Sequence, residues 1–301
     1  MQLVHSRSLA AGRPRSQVQK AQRRVTDSSI GHWVQRLSVP RNFYVERKAN
    51  QAVADWIARQ FEEWGYAVRR QGSVDNVIAT PNLPADVLTL VGAHYDSVPG
   101  TPGADDNASA VAAMLGCAQA LAGTDAPVCF AAFNCEENGL TGSRDLVNEL
   151  REGGMLKVSC AHILEMVGYA CTQPGSQRVP AVLPIHLPST GDFLGLLANT
   201  SSKLVMQSIL QSARDYLPDF NCLGLAVPLG AERVMPVLAR SDHVPFWDAQ
   251  IPAVMWTDTS EYRNPNYHQE SDTPETLNYA FLGQVTQVLV AAVYAGVVAA
   301  D

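Results

Sequence analysis

The sequence predicts an α/β protein: a three-layer sandwich whose central mixed, mostly parallel sheet is flanked by helices. Three observations carry this. Short apolar runs alternate with longer segments of helical periodicity, the pattern of strand–helix units. Several of the runs, VLTLVGAH (87–94) above all, are apolar at nearly every position, as in strands buried on both faces. The third is length, since 301 residues with 47% hydrophobic content suffice for one large core and exclude a disordered chain.

The elements follow in order. Residues 43–64 set Ala52, Ala54, Trp56, Ile57, Phe61 and Trp64 on one helical stripe, which Gly65 ends. Strands are expected at 67–70, 77–80 and 87–94, then an alanine-rich helix at 107–121, a buried strand at 128–133, a helix at 141–150 and a strand at 161–166. Proline and glycine mark 170–190 as a loop, followed by a helix at 204–216, a strand at 253–256 and a closing helix from Thr276. The apolar run Val288–Ala300 is too short to span a bilayer, so no membrane partner is expected.

The formal net charge is −7, unevenly spread. Residues 1–24 carry six bases and no acid, leaving 16 bases against 29 acids in the remainder. Residues 1–28 therefore read as a solvated basic tail and 29–301 as a single catalytic domain. The acidic balance argues against a nucleic-acid partner. The six cysteines form no CxxC pair and mostly sit in apolar runs, as small buried hydrophobes do; Cys171 and Cys222 are the one candidate disulfide. With no apolar leader segment, a reducing, cytoplasmic location is expected.

Acids and histidines gather at the predicted strand ends: His94-Tyr95-Asp96, Asp105-Asp106, Glu136-Glu137, Glu165, and Tyr267-His268 with Asp272 beyond. Ligands of α/β sheets bind just past the carboxyl ends of the strands. Singly, these residues have ordinary readings: Asp105 or Asp106 as a helix cap, Glu137 as a first-turn acid, His268 as a surface group. Together they would bury several carboxylates near one another, which is costly unless a cation joins them. Two histidines and three carboxylates suit Zn²⁺, and the set fits a two-metal hydrolytic site.

At the level of motifs the sequence resembles the zinc-dependent exopeptidases that include leucine-type aminopeptidases, glutamate carboxypeptidase and glutaminyl cyclases. The matching pieces are GAHYDSVPGTPGADDNASA (92–110), EENGLTGS (136–143), LEMVGY (164–169), SDHVPFWDAQIPA (241–253) and YRNPNYHQESDTPETLNY (262–279). The resemblance implies metal ligands at His94, Asp106, Glu137, Glu165 and His268, with two zinc ions per chain expected and one as the lesser case. It further implies Asp96 as the acid that orients His94, Glu136 as general base, Tyr267 as a donor to the oxyanion, and a cis peptide bond after Asp106. Most aminopeptidases of the family have Asp at the Glu165 position; the longer side chain is still an oxygen donor. Ala110 replaces a family glycine, and Asp242 is a candidate supporting acid or a helix cap. The implied reaction is hydrolysis of the first bond of a peptide or aminoacyl substrate. The alternatives are a glutaminyl cyclase and a receptor-like homologue without activity.

Overall fold

The computed structural model describes residues 1–83, 85–154, 156–228 and 230–296. In chain order the elements are β1 (Gln2–His5), α1 (Ser16–Gln22), α2 (Asp27–Leu37), α3 (Arg47–Glu63), β2 (Ala67–Gln71), β3 (Asn76–Thr80), β4 (Leu88–His94), α4 (Ala110–Leu121) and β5 (Val128–Phe133). There follow α5 (Thr141–Arg151), β6 (Val158–Glu165), β7 (Leu194–Asn199), α6 (Lys203–Tyr216), β8 (Cys222–Val227), α7 (Ala231–Val234), α8 (His243–Asp248), β9 (Ala253–Thr257) and α9 (Tyr279–Tyr294). The nine strands form one sheet in the order β1-β8-β7-β9-β6-β4-β5-β3-β2. Its centre, β5-β4-β6-β9, is parallel; β1, β2 and β3 join antiparallel, and β7 pairs antiparallel with β9 and parallel with β8.

Strand alternation divides the core. On one face Val91, Ala93, Phe130, Ala132 and Leu164 pack with Val111 and Leu115 of α4 and Val285 and Leu289 of α9. On the other, Leu90, Ala131, Phe133 and Ile163 pack with Leu146 of α5 and Phe246 of α8. The alternation is the period-2 geometry of a strand buried on both sides. Over β7, β8 and β1 the second face is covered differently, by the loop segment 178–188, whose half-buried Leu183, Ile185 and Leu187 alternate with exposed neighbours.

The expected basic tail is a correction. Residues 2–5 pair with β8 as the sheet's edge strand, and α1 buries Val18 and Ala21 against the main core. Three of its six bases are used on carbonyls left open at helix ends and turns. Arg24 donates to Ala120 O and Ala122 O at 3.1 Å each, Arg15 to Ala295 O, and Arg7 to Asp219 O. The expected helix at 107–121 starts at Ala110, because Asp106 (φ −105°, ψ 85°) and Asn107 (φ −134°, ψ 34°) leave the helical region. Strands β7 and β8, both outside the sequence expectation, complete the sheet beyond β9. All six cysteines are free, Cys171 and Cys222 included. Among the described residues no helix is long and apolar enough to cross a membrane. Residues 297–300 of the apolar run lie outside the described residues.

Candidate metal centre

Parallel strands deliver their C-terminal residues to one edge, and the centre is built there. β4 ends at His94, which is 1% exposed although it is a titratable group. Tyr95 N donates to Phe133 O at 2.8 Å, carrying the chain on to Asp96. The fully buried Asp96 carboxylate lies 3.3 Å from His94 Nδ1 and accepts from Glu136 N (3.2 Å) and Glu137 N (3.3 Å). One side chain thus ties the end of β4 to the turn after β5.

Asp106 follows a turn that glycine makes feasible. Gly103 has φ +59°, and a Cβ there would come within 2.3 Å of Asp106 O. The Asp106–Asn107 peptide bond is cis. Asp272 secures the turn, accepting from Asp105 N at 2.9 Å and Asp106 N at 3.1 Å. The two adjacent aspartates face opposite ways. Asp105 accepts from Gly168 N (2.9 Å) and Asn264 Nδ2 (2.7 Å), away from the histidines. Asp106 instead places Oδ1 3.4 Å from His94 Nε2 and Oδ2 3.1 Å from His268 Nε2.

Two donor sets result, sharing Asp106. In the first, Glu165 Oε2 at the end of β6 lies 3.5 Å from His94 Nε2 and accepts from Ser241 Oγ at 2.6 Å. In the second, Glu137 Oε2 lies 3.4 Å from His268 Nε2. Within each set, His94–Asp106–Glu165 and Asp106–Glu137–His268, one donor atom per residue lies within 4.8 Å of the others. Glu136 Oε2 stands 4.0 Å from His94 Nε2. Tyr267 stacks on His268 with ring centroids 3.7 Å apart, and its hydroxyl accepts from Arg240 at 2.8 Å. All eight residues singled out in the sequence are therefore brought to one place.

The electrostatics suit a cation. Burial pushes Glu137 up to about 7, reinforced by the Asp106 charge. Glu136 is likewise raised by burial and by Glu165, Asp242 and Glu137, against the opposing pull of His94. Burial works against a charged His268, but Asp106 and Glu137 outweigh it and lift the ring to about 10. His94 rises in the same way beneath Glu165, Glu136, Asp106 and Asp96. These acids hold protons, or pair with imidazolium, where no other cation serves them. Among the described residues, neither nitrogen of buried His94 reaches hydrogen-bond geometry with the carboxylates facing it, and Glu137 Oε1 has no partner. Imidazole and carboxylate donors left open in this way fit a divalent ion such as zinc.

Sequence reasoning missed a buried cation that supports the centre. Arg41, with 0% exposure, donates to Tyr95 O (2.7 Å), Gly103 O (2.9 Å), Val39 O (3.1 Å) and Pro102 O. Burial lowers its guanidinium to about 10, opposed by Asp96, Asp106, Asp272 and Glu137. It pins both loops that carry Asp96 and Asp106. No spacing in the sequence marks it, 53 residues before the nearer metal-facing group. Ser241 was legible only as part of the SDHVPF motif, and the buried Asp242 is raised to about 7 by burial, opposed by His94 and Ser143.

The centre opens on a cavity of about 490 Å³. Asp106, Glu136, Glu137, Glu165, Tyr267 and His268 line one end, and leucines of β7, β8 and segment 178–188 the other.

Comparison with known proteins gives the family. The uncharacterized protein YfbL of Escherichia coli K12 is 32% identical over 260 residues, 80% of this chain and 79% of that one. The structure of a zinc aminopeptidase from Bacillus subtilis, BSAP, is 29% identical with a TM-score of 0.56; the match covers 74% of this chain and half of the longer enzyme. A glutaminyl cyclase from Fimbriiglobus ruber shares the fold at 18% identity, with a TM-score of 0.64 and coverage of 89% and 95%. The segments 76–219 and 224–293, which hold every residue of the centre, match peptidase family M28, and the chain belongs to that family.

Proposed function

We propose that this protein is a zinc-dependent aminopeptidase, hydrolysing the first bond of a peptide or aminoacyl substrate. The observation that carries the reading is the shared carboxylate: Asp106 presents one oxygen 3.4 Å from His94 and the other 3.1 Å from His268. His94, Asp106 and Glu165 would hold one zinc ion, and Asp106, Glu137 and His268 a second. Bound there, zinc supplies Lewis acidity that polarises the scissile carbonyl and acidifies a water molecule.

The protein's own groups do the rest. Asp96, facing His94 Nδ1, orients the ring so that Nε2 turns to the centre. Glu136 accepts the water's proton and returns it to the leaving amine. Burial and the neighbouring acids raise its carboxyl above the usual range, which favours its taking up a proton. A guanidinium can only donate, so the Tyr267 hydroxyl accepts from Arg240 and keeps its own proton for the substrate's carbonyl oxygen.

The complete pair of donor sets favours hydrolysis over cyclisation, which needs fewer ligands, and over a vestigial site, which would have lost them. The test incubates zinc-loaded protein with leucyl-p-nitroanilide and, separately, with a peptide bearing N-terminal glutamine. Nitroaniline release that a chelator stops and zinc restores is expected. Ammonia release from the glutamine peptide alone would instead support the cyclase. The six free thiols suit a reducing cytoplasm, which we take as the location.

A further inference from the structure

We infer that the apolar end of the cavity receives a long alkyl chain, giving the centre a further activity: hydrolysis of long-chain N-acyl amino acids. The inference rests on the metal-dependent amide hydrolysis proposed above. Two rows of cross-strand neighbours form the cavity floor. The first runs from the centre itself, Glu165–Thr257–Gly195–Leu223, across β6, β9, β7 and β8. The second, two residues back on the same face, runs Met255–Leu197–Leu225–Leu3 and ends on β1. All eight residues line the one cavity, roofed by Leu183, Ile185 and Leu187.

From β6 to β1 there are four inter-strand spacings in the sheet order, which at the usual separation make a trough about 19 Å long. A leucine side chain, three bonds deep, reaches only about 4 Å. A peptide laid along the trough would need partners for its N–H and C=O groups. Beyond Thr257 the two floor rows and the roof offer it leucine, isoleucine and methionine; the cavity's polar lining residues Gln177, Arg178, Arg240 and Glu261 are already bonded to protein groups. An alkyl chain needs no such partners, and at about 1.3 Å per carbon one on the order of 14 carbons fills the length. Gly195 keeps the floor low beside the centre, where an added Cβ would sit 3.1 Å from Thr257 O and 3.6 Å from Thr257 Cγ2. Arg144, exposed in the same cavity wall, is bonded among the described residues only through Nε to Gly139 O, and is free to meet a carboxylate on the released amino acid.

The chemistry balances without a further reactant. Water adds its oxygen to the acyl carbon, the C–N bond breaks, and the proton taken by Glu136 goes to the departing nitrogen. A fatty acid and a free amino acid result. Nothing in this step requires a free amine on the acyl side.

The test uses the full zinc-loaded chain with N-acetyl-, N-hexanoyl- and N-dodecanoyl-L-alanine, reading released amine, and leucyl-p-nitroanilide in parallel. Burial of each methylene is worth about fourfold, so kcat/KM should rise at least a hundredfold from acetyl to dodecanoyl. Leu225→Trp and, separately, Leu3→Trp fill the far half of the trough and should cut the dodecanoyl-to-hexanoyl ratio at least tenfold. Turnover of the nitroanilide with no gain from acetyl to dodecanoyl overturns the inference, as does a wild-type ratio in both variants. Loss of the nitroanilide reaction as well would sink the underlying aminopeptidase reading with it.

Discussion

Replacing Asp96 by Asn probes how the centre is held. The native carboxylate is fully buried, accepts from Glu136 N and Glu137 N at 3.2 and 3.3 Å, and lies 3.3 Å from His94 Nδ1. An amide of the same size keeps one accepting oxygen and turns an NH₂ group on either a backbone N–H or the imidazole. One buried donor loses its acceptor, at a cost of about 1–3 kcal/mol in folding stability. The ring loses the charge that orients it, a loss worth about 10–100-fold in metal affinity, or about 1.4–2.8 kcal/mol. Zinc competition with a chromophoric chelator gives the affinity and thermal melting of the metal-free protein gives the stability. Zinc affinity within twofold of wild type would refute the role given to Asp96, whatever the melting shows.

Three other outcomes are expected. Deleting residues 1–24 removes β1 and the buried Val18 and Ala21 and uncovers the core beneath them, so the melting temperature should fall by several degrees, where loss of a solvated tail would change nothing. Arg41→Met leaves carbonyls of Val39, Tyr95, Pro102 and Gly103 without their buried donor, and denaturant titration should record a loss of about 3–5 kcal/mol. The third concerns pH. Glu137, Asp242 and Asp272 are raised to about 7 and His268 to about 10, so the folded metal-free chain binds more protons than the unfolded one. Burial lowers His162 and His243 to about 4, which opposes this below about pH 6.5, so stability should fall most clearly as pH climbs through 7 and on towards 10. Zinc replaces the protons of Glu137 and His268, so the melting shift it produces should be larger at pH 8 than at pH 5.5; an equal shift at both would contradict the assignment.

Much of the centre was legible because parallel strands carry their last residues to one edge. His94, Glu165 and the Glu136-Glu137 pair each follow an apolar run, and His268 was reached through the motif around it. What spacing does not encode is support from afar. Arg41 meets the loops of Asp96 and Asp106 only after α3, β2, β3 and β4 have folded between them, and nothing local marks it. Strand β1 was missed because four residues, QLVH, carry no resolvable period, and its neighbouring arginines looked like solvated charge until their carbonyl partners were in place. Strands β7 and β8, LGLLAN and CLGLAV, are short, glycine-broken and preceded by a loop, so their periodicity is weak although they extend the sheet over which the trough runs.

The most direct measurement pairs zinc content with turnover in Glu136→Gln. Glu136 lies near the donor atoms yet belongs to neither set, so the variant should still bind two zinc ions per chain while leucyl-p-nitroanilide turnover falls about 10²–10⁴-fold. Turnover within a few-fold of wild type at full zinc occupancy would contradict the account.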